Sequence, residues 1–127
     1  MERKNHTTGA PWEDIVGYSR AVQIGNLFEI SGTTAVRDGK IVHVNDAYGQ
    51  TKRIIEIASD VLAKAGMSLN DVIRTRIYVT DISQWEEIGR AHGEAFRNIK
   101  PASTMIEVSG LVDPKMLVEV EFTAYKS

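Results

Sequence analysis

The sequence of 127 residues has no cysteine. Disulfides, thiolate nucleophiles and thiolate metal sites are therefore excluded together, and the chain suits a reducing compartment, so a cytoplasmic location is expected. No charge dominates: 15 basic against 17 acidic side chains leave −2, which gives no overall attraction to phosphate backbones or anionic lipid. Aromatics make up only 7% of the chain and the basic residues are scattered, so a base-stacking platform and a basic track are both missing. Apolar runs long enough to span a bilayer are also missing. Met1 to Trp12 is polar and has no apolar centre, so it does not read as an export signal, and without one the triplet Asn5-His6-Thr7 is not expected to carry glycan. Residues 1–16 are expected to form an N-terminal tail and residues 17–127 a single domain.

Several catalytic signatures are absent as well. Gly49-Gln50-Thr51 lacks the leading glycine and the lysine of a phosphate loop and reads as the start of a helix. His6, His43 and His92 fall on a tail, a strand and a helix with no ligand spacing between them, so no metal is expected. His92 shares a stripe with Trp85 and Phe96 and reads as a half-buried core histidine. There is no Gly-x-Ser-x-Gly elbow. Arg74 and Arg76 read as a solvated strand face paired with carboxylates.

What is present is a chain of alternating short periods. Tyr18 to Val22 and Leu27 to Thr34 alternate around Gly25-Asn26, a pair suited to a tight hairpin turn. Asp38-Gly39 marks a second turn, between Ala35–Arg37 and Lys40–His43, which is expected to extend the hairpin into a meander. The period then changes: Ile54, Ala58, Val61, Leu62 and Ala65 predict a helix over 47–65, ended at Gly66. Val72 to Thr80 alternates as an inner strand, with Ile73, Thr75, Ile77 and Val79 on one side. Ser83 and Glu86 form a capping-box signature ahead of Trp85, Ile88, His92 and Phe96, which predicts a second helix to about Asn98. Strands over 103–108 and 117–125 follow Pro101 and the Asp113-Pro114 turn.

This order gives an α+β domain in two layers: a mixed sheet of about six strands with two helices over one face. Strand positions of both parities carry apolar groups, so the bare face is expected to meet other copies of the chain in a homo-oligomer. A small-molecule site in a cleft between identical subunits is the expected place for chemistry.

The segments Gly17-Tyr18-Ser19-Arg20-Ala21-Val22 and Gly25-Asn26-Leu27-Phe28-Glu29-Ile30-Ser31-Gly32 resemble the opening of the Rid/YjgF family, the reactive intermediate deaminases, also called RutC-like or endoribonuclease L-PSP. Val72 to Asp81, Pro101-Ala102-Ser103-Thr104-Met105-Ile106-Glu107-Val108 and Val118-Glu119-Val120-Glu121 resemble later strands of that family in the same order. The resemblance implies a chorismate-mutase-like homotrimer with intersubunit clefts, in which a small imine or enamine is hydrolysed to a carbonyl compound and ammonia without metal or organic cofactor. It implies Glu119 as the group that holds and deprotonates water and Tyr18 as its catalytic companion. It implies Ser31 as a cleft residue and Met105 as a position that contributes main-chain groups, and Gly32, Ser103 and Thr104 are expected to bind substrate with them. Read without the family, Tyr18 serves equally as cover for a sheet edge, Ser31 as the residue before a tight turn, and Glu119 as a solvated strand carboxylate.

The sequence departs from the family pattern at Ser103, where imine-hydrolysing members carry an arginine that grips the substrate carboxylate. A hydroxyl cannot form that bidentate pair, and each charged hydrogen bond lost is worth about 1.5–3 kcal/mol. Gly89 stands where many members have asparagine. Arg20, of the same strand parity as Tyr18, is one candidate replacement for the missing cation, and Arg90 on the second helix is another. A substrate without a carboxylate, held by the hydroxyls of Ser103 and Thr104, is the alternative. A non-catalytic metabolite-binding module using the same cleft and an endoribonuclease or translation-inhibitor role are the competing functions.

Overall fold

Even-numbered residues of the last strand, Val118, Val120, Phe122 and Ala124, are buried, whereas Glu119, Glu121 and Thr123 between them are only partly covered. That alternation defines a sheet with one face on a core and one face open. The computed structural model describes residues 1–127. In chain order its elements are β1 (Arg3–His6), α1 (Pro11–Val16), β2 (Ala21–Ile24), β3 (Leu27–Thr33), β4 (Val36–Arg37), β5 (Lys40–Ile41), α2 (Ala47–Lys64), β6 (Val72–Val79), α3 (Trp85–Phe96), β7 (Ala102–Glu107) and β8 (Val118–Tyr125).

Six strands form one mixed sheet in the order β1-β2-β3-β8-β6-β7. Every pairing is antiparallel except β6 with β7, which is parallel and bridged by α3, the crossover that a parallel pair requires. Helix α2 packs on β3, β8 and α3. Ile54, Ala58 and Leu62 of α2, Ile88 and Phe96 of α3, and Phe28, Ile30, Ile77, Val120 and Phe122 of the sheet share one buried cluster. The expected α+β, two-layer architecture is thus present, with α2 and α3 on one face.

Helix α2 starts and stops as its sequence dictates. The Asp46 carboxylate accepts a hydrogen bond from the Gly49 N–H at 2.9 Å, and the chain leaves the helix through Gly66 at φ +73°. Gln50 in its first turn is fully buried. Its amide donates to the Lys115 carbonyl at 2.8 Å, and its Oε1 accepts from the Leu117 N–H at 2.9 Å, one residue before β8 begins. The helix thereby holds the entry of the central strand in register.

Five expectations are corrected. Residues 1–16 do not form a tail, because β1 pairs with β2 at the sheet edge and α1 follows. Arg3–His6 is exposed apart from His6, which sits edge-on to Phe28, so its pairing rests on backbone bonds that leave no apolar pattern. The segment over 35–43 does not extend the first hairpin: β4 and β5 make a separate two-stranded ribbon around Asp38 and Gly39, both at positive φ. A register shift between Val72 and Arg74 turns Ile73 outward, where it is exposed. Ser83 does not cap the second helix. The Asp81 carboxylate instead accepts from the Ser83 N–H and hydroxyl, a short 3₁₀ turn over Ile82–Gln84 intervenes, and Trp85 lies exposed outside the core stripe. Arg74 and Arg76 form no salt bridge: the Arg74 Nη2 donates to the Thr104 hydroxyl at 2.7 Å, and its Nε is buried without a partner.

The open face is polar at its centre, where Glu29, Arg76, Glu119 and Glu121 project. It is apolar at one end, where Ile24, Leu27 and Tyr125 lie side by side on adjacent strands. No helix is long and apolar enough to cross a membrane. Gln50→Ala is expected to lower the unfolding free energy by about 2–3 kcal/mol, because it strands the Leu117 N–H and the Lys115 carbonyl and leaves a void. Urea denaturation at fixed protein concentration, alongside the exposed control Glu56→Ala, checks this.

Candidate active site

The pairing of β3 with β8 is interrupted between Ile30 and Thr33, so Ser31 and Gly32 sit on an irregularity of β3 rather than in regular register. Such bulges re-aim side chains and end pairing locally. Here the distortion is pinned from both sides. The Ser31 N–H donates to the Arg20 carbonyl at 3.0 Å, the Ser31 hydroxyl donates to the Ser19 carbonyl at 2.7 Å, and the Arg20 Nη2 donates to the Gly32 carbonyl at 2.6 Å.

Glu119 of β8 lies directly over Gly32. A Cβ built on Gly32 would collide with the carboxylate and meet its Cδ at 3.0 Å, so any larger residue here must push the Glu119 side chain out of its present place. Burial raises the Glu119 pKa, repulsion from the Glu121 carboxylate raises it further, and the Arg20 guanidinium partly opposes both. Glu121 itself accepts a hydrogen bond from the Tyr78 hydroxyl at 2.8 Å. Glu119 is therefore a carboxylate held in an unfavourable setting for its charge, the arrangement that favours proton uptake.

Arg20 is half-buried and its Nε has no partner. Burial lowers its pKa, against the attraction of Tyr18, Glu13 and Glu119. Its guanidinium carbon stands 6.0 Å from the centre of the Tyr18 ring, at the outer range of a cation–π contact. Tyr18 precedes β2 and is placed by α1: both the Gly17 and the Tyr18 N–H groups donate to the Glu13 carbonyl, at 2.9 and 3.0 Å, with Gly17 at φ +88°. The Glu13 side chain is almost fully buried and accepts from the Thr8 N–H and hydroxyl. Glu13 and Thr8 were not among the expected site residues. The only trace of their role in the sequence is a carboxylate three residues after an N-cap Ala10 that has no side-chain cap of its own.

The structure thus brings Tyr18, Arg20, Ser31, Gly32 and Glu119 together. Ser103, Thr104 and Met105 lie apart on β7, with β6 between that strand and β8. The Thr104 hydroxyl accepts from Arg74, on the face of the sheet that carries Glu119, whereas Ser103 is held from the helix side by the buried Thr75 hydroxyl at 2.8 Å. Arg90 joins neither group: its guanidinium stacks 4.1 Å from the Tyr48 ring, between α3 and α2. Gly89 has open space around it.

A depression of about 220 Å³ on the open face is bordered by Ser31, Glu29, Arg76 and Glu121, next to the cluster. A larger one, about 340 Å³, lies between Lys52, Leu69 and Ala95 over the helices and contains none of the expected site residues. No three histidine, aspartate or glutamate side chains are grouped to hold a metal ion. Gly32→Ala is expected to push Glu119 aside and lower the unfolding free energy by about 1–3 kcal/mol. Gly89→Ala, in helix α3 with nothing near it, is expected to stabilise by about 0.5–1 kcal/mol. Paired denaturation curves check the contrast.

Residues 8–126 match the sequence model of the endoribonuclease L-PSP family. A RutC family protein from Pyrococcus abyssi is 38% identical over 112 residues, covering 86% of each chain. The 3-aminoacrylate deaminase RutC of Acinetobacter baylyi is 32% identical over 109 residues, covering 85% of this chain and 86% of its own. A crystal structure of a YjgF/YER057c/UK114 family member from Mycobacterium tuberculosis superposes with a TM-score of 0.89 at 44% identity, covering 98% of this chain and 100% of the other. With the bulge at Ser31 and Gly32 and the strands from β2 to β8 all inside the matched span, the chain belongs to the endoribonuclease L-PSP family, which the YjgF/YER057c/UK114 and RutC names also describe.

Proposed function

We propose that the protein is a hydrolytic deaminase of small imines or enamines, working in clefts between the subunits of a homotrimer. The observation that carries this reading is Glu119: a half-buried carboxylate with a raised pKa, pressed onto Gly32 and faced by Arg20. A relative named for deaminating 3-aminoacrylate, an enamine, supports the same substrate class. Separation of the site residues into two groups on one subunit supports a cleft completed by a second copy, in which β7 of one chain faces Glu119 of another.

In this mechanism Tyr18 and the main chain at Ser31 and Gly32 position the protonated imine. Glu119 accepts a proton from water as the water oxygen bonds to the imine carbon, giving a neutral carbinolamine. The proton then passes to nitrogen, the C–N bond breaks with its electrons leaving on ammonia, and loss of the hydroxyl proton yields the C=O group. Arg20 supports the ionised form of Glu119 and is the cation available to an anionic substrate group. The reaction consumes only water, and no step calls for a metal or an organic cofactor.

Ser103 in place of the family arginine favours a second reading, a metabolite-binding module that uses the same cleft without turnover. An endoribonuclease role finds less support, because the basic residues of the open face, Arg74 and Arg76, lie among Glu29, Glu119 and Glu121 and form no continuous basic track.

Because Glu119 must be ionised to act as base, activity should rise with pH through a value above the ordinary carboxylate range of about 4.3. Glu119→Gln should lower kcat by about 10²–10⁴-fold and abolish that acidic limb. For stability the sign is opposite: the folded state holds the Glu119 proton more tightly than the unfolded state, so this residue's contribution falls as pH rises through that window. Glu119→Gln should therefore be the more stable protein at neutral pH. Ammonia release from freshly generated imines and enamines, followed across pH, tests the first statement, and thermal unfolding of the same pair tests the second. Saturable ligand binding with no ammonia from the wild type would favour the binding module.

A further inference from the structure

Three polar side chains from three elements meet behind the edge strand. His92 Nε2 of α3 lies 2.9 Å from the Thr75 hydroxyl of β6, and that hydroxyl lies 2.8 Å from the Ser103 hydroxyl of β7. Thr75 is fully buried, His92 is half-buried against Phe96 with ring centres 4.7 Å apart, and Ser103 is exposed. An edge-strand serine by itself is a free rotor, whereas this one is tied through a buried hydroxyl to a half-buried ring.

A threonine hydroxyl has one proton and can donate to only one of its two neighbours. The chain is therefore polarised in one of two directions. In the first, His92 Nε2–H donates to Thr75, Thr75 donates to Ser103, and the Ser103 proton points away toward solvent. In the second, Ser103 donates to Thr75, Thr75 donates to an unprotonated Nε2 whose ring carries its proton on Nδ1, and Ser103 presents only lone pairs. Burial lowers the His92 pKa, which keeps the ring neutral and both directions accessible. No positive charge belongs to the chain, and Arg74 is engaged with Thr104 on the other face of the sheet.

We propose that Ser103 is the specificity-determining residue of the cleft, oriented through Thr75 by His92, and that this chain recognises a neutral polar group of the substrate, such as a carboxamide, where an arginine would take a carboxylate. Thr75 and His92 are positioning residues. The proposal rests on the deaminase reading for the reaction, but not for the hydrogen-bond chain or its preference for neutral groups. A carboxamide suits both polarities, since its oxygen accepts from Ser103 in the first and its N–H donates in the second. A carboxylate can use only the first, and without charge assistance.

The relay itself is tested by ¹⁵N NMR of His92 in the full-length protein. Ser103→Ala leaves Thr75 only the ring to bond, so the Nδ1–H tautomer should gain at the expense of Nε2–H. Thr75→Val should change the His92 signals and Thr75→Ser should restore them. Unchanged tautomer populations in both Ser103→Ala and Thr75→Val would overturn the relay.

Specificity is tested with a 2-imino acid and its carboxamide, both generated in situ. The wild type should have the higher kcat/KM for the carboxamide, and Ser103→Arg should shift the ratio toward the acid by on the order of tenfold to a hundredfold. Thr75→Val should raise KM for the carboxamide while kcat stays within about twofold, the pattern of lost ground-state positioning, and Thr75→Ser should recover it. A wild type that prefers the acid, with a ratio unmoved by Ser103→Arg, would overturn the proposal. If the wild type turns over neither, the deaminase reading fails, and chemical-shift titration with lactamide against lactate decides the preference alone: tighter lactamide binding, lost in Ser103→Arg, upholds it, and equal or tighter lactate binding ends it.

Discussion

Everything on the open face depends on the phase of β8. This strand runs through the middle of the sheet, between β3 and β6, and its even residues fill the core while its odd residues face outward. A slip by one residue would bring Glu119 and Glu121 into the core and turn Val120 and Phe122 outward, a change that costs two buried charges and two large apolar groups at once. The phase is set before the strand starts. Gln50 binds the Leu117 N–H from α2, and the Thr80 N–H binds the Leu117 carbonyl from the end of β6, so both polar groups of that residue are fixed by neighbours. The hydrophobic pattern and the polar contacts agree, which is what gives one register a clear advantage.

The site then follows as local geometry on that fixed strand. Glu119 occupies space that opens only because β3 loses register at Ser31 and has no side chain at Gly32. Its charge is disfavoured by burial and by Glu121 and favoured by Arg20, whose own burial is incompletely compensated. Burial is the larger influence on both groups, and their mutual attraction is a smaller one that opposes it. The site is held in place by main-chain carbonyls of Ser19, Arg20 and Gly32 more than by side-chain pairs.

Much of this was legible in the sequence because it is written in local periods. The helical spacing from Ile54 to Leu62, the Gly25-Asn26 turn and the alternation from Val118 to Tyr125 each state an element within a short window. Glu119 and Gly32 were legible as site residues only through the family resemblance, since their approach depends on two strands 87 positions apart joined by the β3 and β8 pairing. What remained hidden has physical reasons. Strand β1 is an exposed edge held by backbone bonds, so its side chains show no preference. Ile73 is displaced by a bulge that periodicity cannot announce. The capping role of Asp81 competed with an equally good signature at Ser83. Gln50 and the Thr75, His92 and Ser103 chain are single polar residues whose shortest hydrogen bonds reach partners 17 to 67 residues away, and no short window along the sequence contains both ends.

The placement of Tyr18 has a wider consequence. Its position is handed down from Thr8 to the Glu13 side chain and from the Glu13 carbonyl to the turn at Gly17, through a helix of only six residues that is too short to be stable alone. Sequence drift in this strap can move the phenol without disturbing the sheet or the carboxylate behind it. Within one unchanged scaffold, the surface shaped by Tyr18 is therefore free to diverge faster than the carboxylate beneath it, so that the two halves of one cluster can age at different rates.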